Sequence, residues 1–145
     1  MEQEDLLYKY ISSLEESIQR IKHMDFTFDM ILGDEDTQDL LDRRMQKAVE
    51  SCMDIAIHLA SQLQLPRSEK ASDIFILLAK NRIIDQALAE KLKQAVGFRN
   101  ILVHEYTEVD YKLAYTDLDE KLSDLETFAY QIREFLKKQK NSAKH

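Results

Sequence analysis

The chain has 145 residues, the size of one ordinary domain, with only two glycines (Gly33, Gly97), one proline (Pro66) and one cysteine (Cys52). That composition leaves little from which to build hairpin turns or a glycine-rich phosphate loop, and it excludes an internal disulfide. The net charge of -7 opposes generic nucleic-acid binding but is unevenly spread: residues 1–42 hold twelve acids against three bases, whereas residues 80–99 hold five bases against two acids.

In chain order, Leu6, Leu7, Tyr10, Ile11, Leu14, Ile18 and Ile21 recur at three- and four-residue steps and predict an amphipathic helix over about 3–24. Phe26 to Asp39, with Gly33 and the acidic run Asp34-Glu35-Asp36, breaks that pattern and reads as a loop. A second long helix follows from Leu41 through Met45, Val49, Cys52, Met53, Ala56 and Leu59 to Leu63, and it ends before Pro66, which disfavours helical geometry in the preceding residue. Cys52 lies among apolar neighbours and reads as a core thiol. A third, short helix carries Ile74, Phe75, Leu77 and Leu78, with Ser72 or a neighbour as its cap.

Leu88, Leu92, Ala95, Val96, Arg99, Leu102 and Val103 predict a fourth helix, and Asp110 caps a fifth, whose stripe runs from Tyr111 and Tyr115 through Leu118, Leu122, Leu125 and Ile132 to Leu136. The expected fold is therefore all-α, a single-domain antiparallel bundle of four to five helices over residues 1–136, followed by a basic, frayed tail over 137–145. No stretch approaches the roughly 18 consecutive apolar residues of a membrane span, and the acidic start Met1-Glu2-Gln3-Glu4-Asp5 is unlike a signal peptide, so a cytoplasmic location without membrane contact is expected.

Chemistry concentrates in Arg99-Asn100-Ile101-Leu102-Val103-His104-Glu105-Tyr106, at the end of the basic stretch. Histidine exchanges a proton near neutral pH, and arginine holds a phosphate and the charge that builds on it in a transition state. Asparagine orients a sugar or a non-bridging oxygen. RNA carries its own nucleophile, the 2′-hydroxyl, so these residue types suit phosphodiester cleavage with no metal and no cofactor. On one straight helix, positions five apart point about 140° away from each other, so Arg99 and His104 converge only if the helix ends or bends near Val103 or a second copy supplies the missing partner. A twofold dimer does the latter, and it also provides two histidines for separate acid and base roles. Asp54 and His58, four apart on the second helix, share a face; they form a hydrogen-bonded pair, support the cleft, or, with ligands from elsewhere, contribute to a metal site.

The extended pattern resembles the R-x(4)-H-x-Y signature of HEPN-domain proteins, and within them the HepT-like toxins encoded beside a minimal nucleotidyltransferase (MNT) antitoxin. Glu50-Ser51-Cys52-Met53-Asp54-Ile55-Ala56-Ile57-His58 is similar to that family's second helix, Ser72-Asp73-Ile74-Phe75 to the start of its third, and Leu92-Lys93-Gln94-Ala95-Val96-Gly97-Phe98-Arg99-Asn100 to the approach to its arginine. The resemblance implies a homodimeric, metal-independent endoribonuclease acting on RNA, with Arg99 and His104 catalytic, Asn100 in support, Asp54 and His58 supporting the cleft, and Tyr106 as the tyrosine to which the antitoxin transfers AMP. The alternative is a non-catalytic helical subunit that binds partner or substrate for a minimal nucleotidyltransferase, with the motif as a docking surface.

Overall fold

The structure is a computed structural model. It describes residues 2–67, 69–103 and 111–143, and the side chains of all of these except 2–4, 98–103 and 143. The helices are α1 (Glu2–Lys22), α2 (Phe28–Gly33), α3 (Glu35–Gln62), α4 (Ile74–Lys80, entered through a 3₁₀ turn at Ala71–Asp73), α5 (Gln86–Val103), α6 (Tyr111–Tyr115) and α7 (Leu118–Ala143). No strand occurs among the described residues.

The four long helices α1, α3, α5 and α7 form the expected antiparallel bundle. Arg44 donates to the Arg20 carbonyl while Tyr10 packs on His58, so α1 and α3 run in opposite directions. Lys22 pairs with Glu126 and Arg133 with Glu15, which sets α1 against α7 the same way, and the pairs Asp85–Gln131 and Lys91–Asp124 do so for α5 and α7. The stripes read from the sequence meet inside: Leu7, Ile11, Leu14, Ile18 and Ile21 of α1 are buried against Leu41, Ala48, Ile55 and Leu59 of α3 and Leu125, Phe128 and Ile132 of α7. Phe75 of α4 meets Phe128 edge to face, with ring centroids 5.7 Å apart. Cys52 lies in this core with no solvent exposure, and desolvation raises its pKa, so it is a packing thiol as expected.

Three details differ from the sequence reading. The segment from Phe26 to Asp39 is not a loop. Thr27 accepts from the Met30 amide and starts α2, and Asp34 accepts from the Thr37 amide at 3.2 Å and starts α3. The acidic run is thus the first turn of a helix, where negative charge faces the positive end of the dipole. Ser72 does not cap α4, which follows from the 3₁₀ turn without any side-chain cap. The fifth expected helix is two, interrupted at Thr116 and Asp117, because α6 turns aside to reach α3. The expected cap Asp110 lies outside the described residues. Helix α7 continues to Ala143, with Leu136 the last of its buried positions.

Both α3 and α4 end in a Schellman arrangement built without glycine. The Leu65 amide donates to Ala60 and the Gln64 amide to Ser61; the Ile83 amide donates to Leu78 and the Arg82 amide to Ala79. Gln64 (φ 56°) and Arg82 (φ 59°) occupy the left-handed position that closes each turn.

Candidate active site

The motif begins within α5. Arg99 and Asn100 stand in its last turns, with side chains outside the described set, and His104 and Tyr106 lie outside the described residues altogether. What the structure gives is the scaffold on either side.

Asp85 anchors the start of α5. One of its carboxylate oxygens accepts from the Leu88 amide at 2.7 Å as an N-cap, and the other accepts from Gln131 Nε2 of α7 at 2.6 Å, while the Asp85 amide donates back to Gln131 Oε1 at 2.9 Å. The Gln131 and Leu88 hydrogen bonds hold the Asp85 carboxyl below the usual range. Lys93 of the same helix pairs with Asp73 at 3.1 Å and Lys91 with Asp124 at 3.6 Å. Helix α5 is thereby fixed in rotation and height before the chain reaches Arg99.

On the far side of the motif, α6 is tied to α3. The hydroxyls of Tyr111 (2.8 Å) and Tyr115 both donate to Asp42, one to each carboxylate oxygen, and the two rings stack with centroids 6.1 Å apart. Burial pushes the Asp42 carboxyl up, against the two hydroxyls, which pull it down; burial and Asp42 together push both phenols up. Asp42 escaped the sequence reading because its partners lie 69 and 73 residues away. The only trace in the sequence is that Tyr111 and Tyr115 are one turn apart and so share a face.

Asp54 and His58 stand on the exposed stripe of α3, and no hydrogen bond joins them; His58 rests on the Tyr10 ring at 5.0 Å. Among the described residues no group of three or more His, Cys, Asp or Glu is placed to hold a metal ion, and no helix is long and apolar enough to cross a membrane.

An all-helical bundle in which α5 carries Arg99-Asn100 is the fold that the HEPN resemblance implies. The chain belongs to the ribonuclease HepT-like family, whose model matches residues 14–132. It is 34% identical over 129 residues to an mRNA nuclease HepT of Shewanella oneidensis, covering 89% of this chain and 97% of that one. It is 26% identical over 132 residues to a tRNA nuclease HepT of Aphanizomenon flos-aquae, covering 91% and 86%. Among solved structures it superposes with a TM-score of 0.82 and 33% identity on the tri-AMPylated Shewanella oneidensis HEPN toxin in complex with its MNT antitoxin, over 89% of this chain and 97% of that one.

Proposed function

We propose that the chain is a metal-independent endoribonuclease toxin that works as a homodimer and is silenced by a cognate MNT-type nucleotidyltransferase. The observation that carries this reading is the family match over residues 14–132 combined with an intact Arg99-x(4)-His104-x-Tyr106 run. In the reaction the RNA 2′-oxygen attacks the adjacent phosphorus and the 5′-oxygen leaves, giving a 2′,3′-cyclic phosphate and a 5′-hydroxyl. His104 takes the 2′-hydroxyl proton, the partner subunit's His104 returns one to the leaving oxygen, and Arg99 from each chain holds the charge on the pentacoordinate phosphorus. Asn100 orients the ribose; Asp54 and His58 support the cleft from α3.

Silencing follows from the same electrostatics. Attack of the Tyr106 hydroxyl on the α-phosphate of ATP releases pyrophosphate and leaves AMP on the tyrosine, placing bulk and negative charge where an RNA phosphate must sit. The solved relative in complex with an MNT antitoxin supports such a partner.

The test is cleavage of RNA by purified, unmodified protein in the presence of a metal chelator. Wild type should cut. Arg99→Ala and His104→Ala should each lose about a hundredfold or more in kcat while keeping the helical signal and melting point. Intact RNA with folded, unmodified wild type under varied conditions would sink the enzyme assignment. Absence of an adenylyl mass on the Tyr106 peptide after incubation with ATP and the nucleotidyltransferase would remove the switch.

A further inference from the structure

Helix α3 carries a second stripe on the side turned away from the core. Leu40, Arg43, Lys47, Glu50, Asp54 and Ile57 follow one another at steps of three, four, three, four and three residues, and all six are exposed. Steps that average 3.5 residues make the seam along which two helices pack side by side. The stripe spans about 25 Å at 1.5 Å per residue. Among the described residues nothing covers its apolar ends: Leu40 is 42% and Ile57 48% exposed. Arg43, Lys47 and Asp54 form no ion pair among the described residues. The order of the side chains is self-complementary. From either end the stripe runs apolar, two charges of one sign, two of the other, apolar. A second copy laid antiparallel about a twofold axis between Ala48 and Val49 meets it with every position matched. Leu40 meets Ile57 of the partner subunit, Arg43 meets Asp54 of the partner subunit, Lys47 meets Glu50 of the partner subunit, and each contact is made twice.

We propose that this stripe is the surface through which two copies of the chain associate, α3 against α3 in opposite directions. The inference rests on the homodimer reading above and gives it a surface. A parallel copy would set all four charges against their own kind, so the antiparallel sense is selected. With two cations and two anions the stripe carries no net charge, and it offers a nucleic-acid backbone nothing to neutralise it. The same axis lies near the motif. Leu92 and Ala95 of α5 line a cavity with Met45 and Val49, in the turns of α3 beside the axis, and Arg99 follows one turn, about 6 Å, beyond Ala95. Each motif therefore starts within about two turns of the twofold, measured along α3, rather than at a distant tip of the bundle. Asp54 then supports the cleft by holding Arg43 of the partner subunit in place.

The test is the mass of the full-length protein in solution, followed by sedimentation at low salt, where ion pairs are least screened. Wild type should be a dimer. Arg43→Glu with Lys47→Glu makes a stripe of four anions, and Glu50→Lys with Asp54→Lys a stripe of four cations. Each double variant alone should dissociate about a hundredfold or more readily than wild type. Mixed together, the two should form a heterodimer at least as tight as the wild-type dimer, which misfolded chains cannot do. Should a double variant lose its helical signal, Arg43→Glu and Asp54→Lys, one charge each, carry the same comparison at about tenfold. Wild type that is a dimer and stays one in every variant would overturn the stripe and leave the homodimer standing. Folded variants that stay monomeric when mixed would overturn the antiparallel pairing. Variants that keep the dimer but lose RNA affinity would overturn the proposal by giving the stripe to the substrate. Wild type that is monomeric at every concentration would remove the stripe and the homodimer together.

Discussion

At the scale of single residues, Asp85 and Asp42 are two carboxylates whose acid dependence has opposite sign. The Asp85 pKa is lower folded than unfolded, so the stability it adds is present above the unfolded value of about 4 and is lost as pH falls through the folded one. Asp85→Ala should therefore cost about 1 kcal/mol in urea unfolding at neutral pH, and wild type and variant should converge in acid. The Asp42 pKa is higher folded than unfolded; protonation favours the folded form, a gain present below the unfolded value and lost as pH rises through the folded one. Its charge is a cost at neutral pH that the Tyr111 and Tyr115 hydroxyls offset. Asp42→Ala removes the acceptor shared by both hydroxyls and should cost about 2 kcal/mol, with Asp42→Asn, which keeps one acceptor oxygen, costing less. Equal losses in the two variants would show that the hydrogen bonds do not hold α6.

At the scale of elements, the long helices were legible because their stripes are regular and their ends carry ordinary signals. Pro66 marked the end of α3, and Arg99-Asn100 fell in the last turns of α5 as its periodicity required. Two failures share a cause: the pattern of apolar residues carries no record of where a chain turns. Tyr111, Tyr115, Leu118 and Leu122 keep helical spacing straight across the interruption at Thr116, and the short α2 buries only Ile31, too little to form a stripe. The caps Thr27 and Asp34 were in plain sight, but in so acidic a run they resembled loop residues. Helix ends also offer a route to greater stability. Non-glycine residues in the left-handed region lose about 1 kcal/mol relative to glycine, so Gln64→Gly and Arg82→Gly should each raise the midpoint of thermal unfolding, and their effects should add because they close separate helices.

For the whole molecule, the ion pairs between helices among the described residues lie at the surface, and one of them is forked: Arg133 donates from Nε and Nη2 to the two Glu15 oxygens while lying 5.8 Å over the Tyr8 ring. Exposed pairs of this kind contribute little, and the aromatic contact between α4 and α7 contributes more. Phe128→Ala should cost about 3–5 kcal/mol and loosen α4 along with α7, which amide exchange would report. The candidate site divides along the same line. Its motif is local in sequence, and so the motif and the family it points to were legible. The brace from Asp42 to α6 was not, since it joins residues that only folding brings together.

Cys52 gives this chain a practical property. Its one thiol is sealed in the core, so the folded protein should be silent to maleimide reagents, and labelling under native conditions should proceed only at the rate of global opening. A single cysteine placed at the exposed Leu113 would then be the sole reactive point on each chain. Spin labels there would report whether two copies associate, as the proposed homodimer requires, and at what separation, with no native thiol to remove.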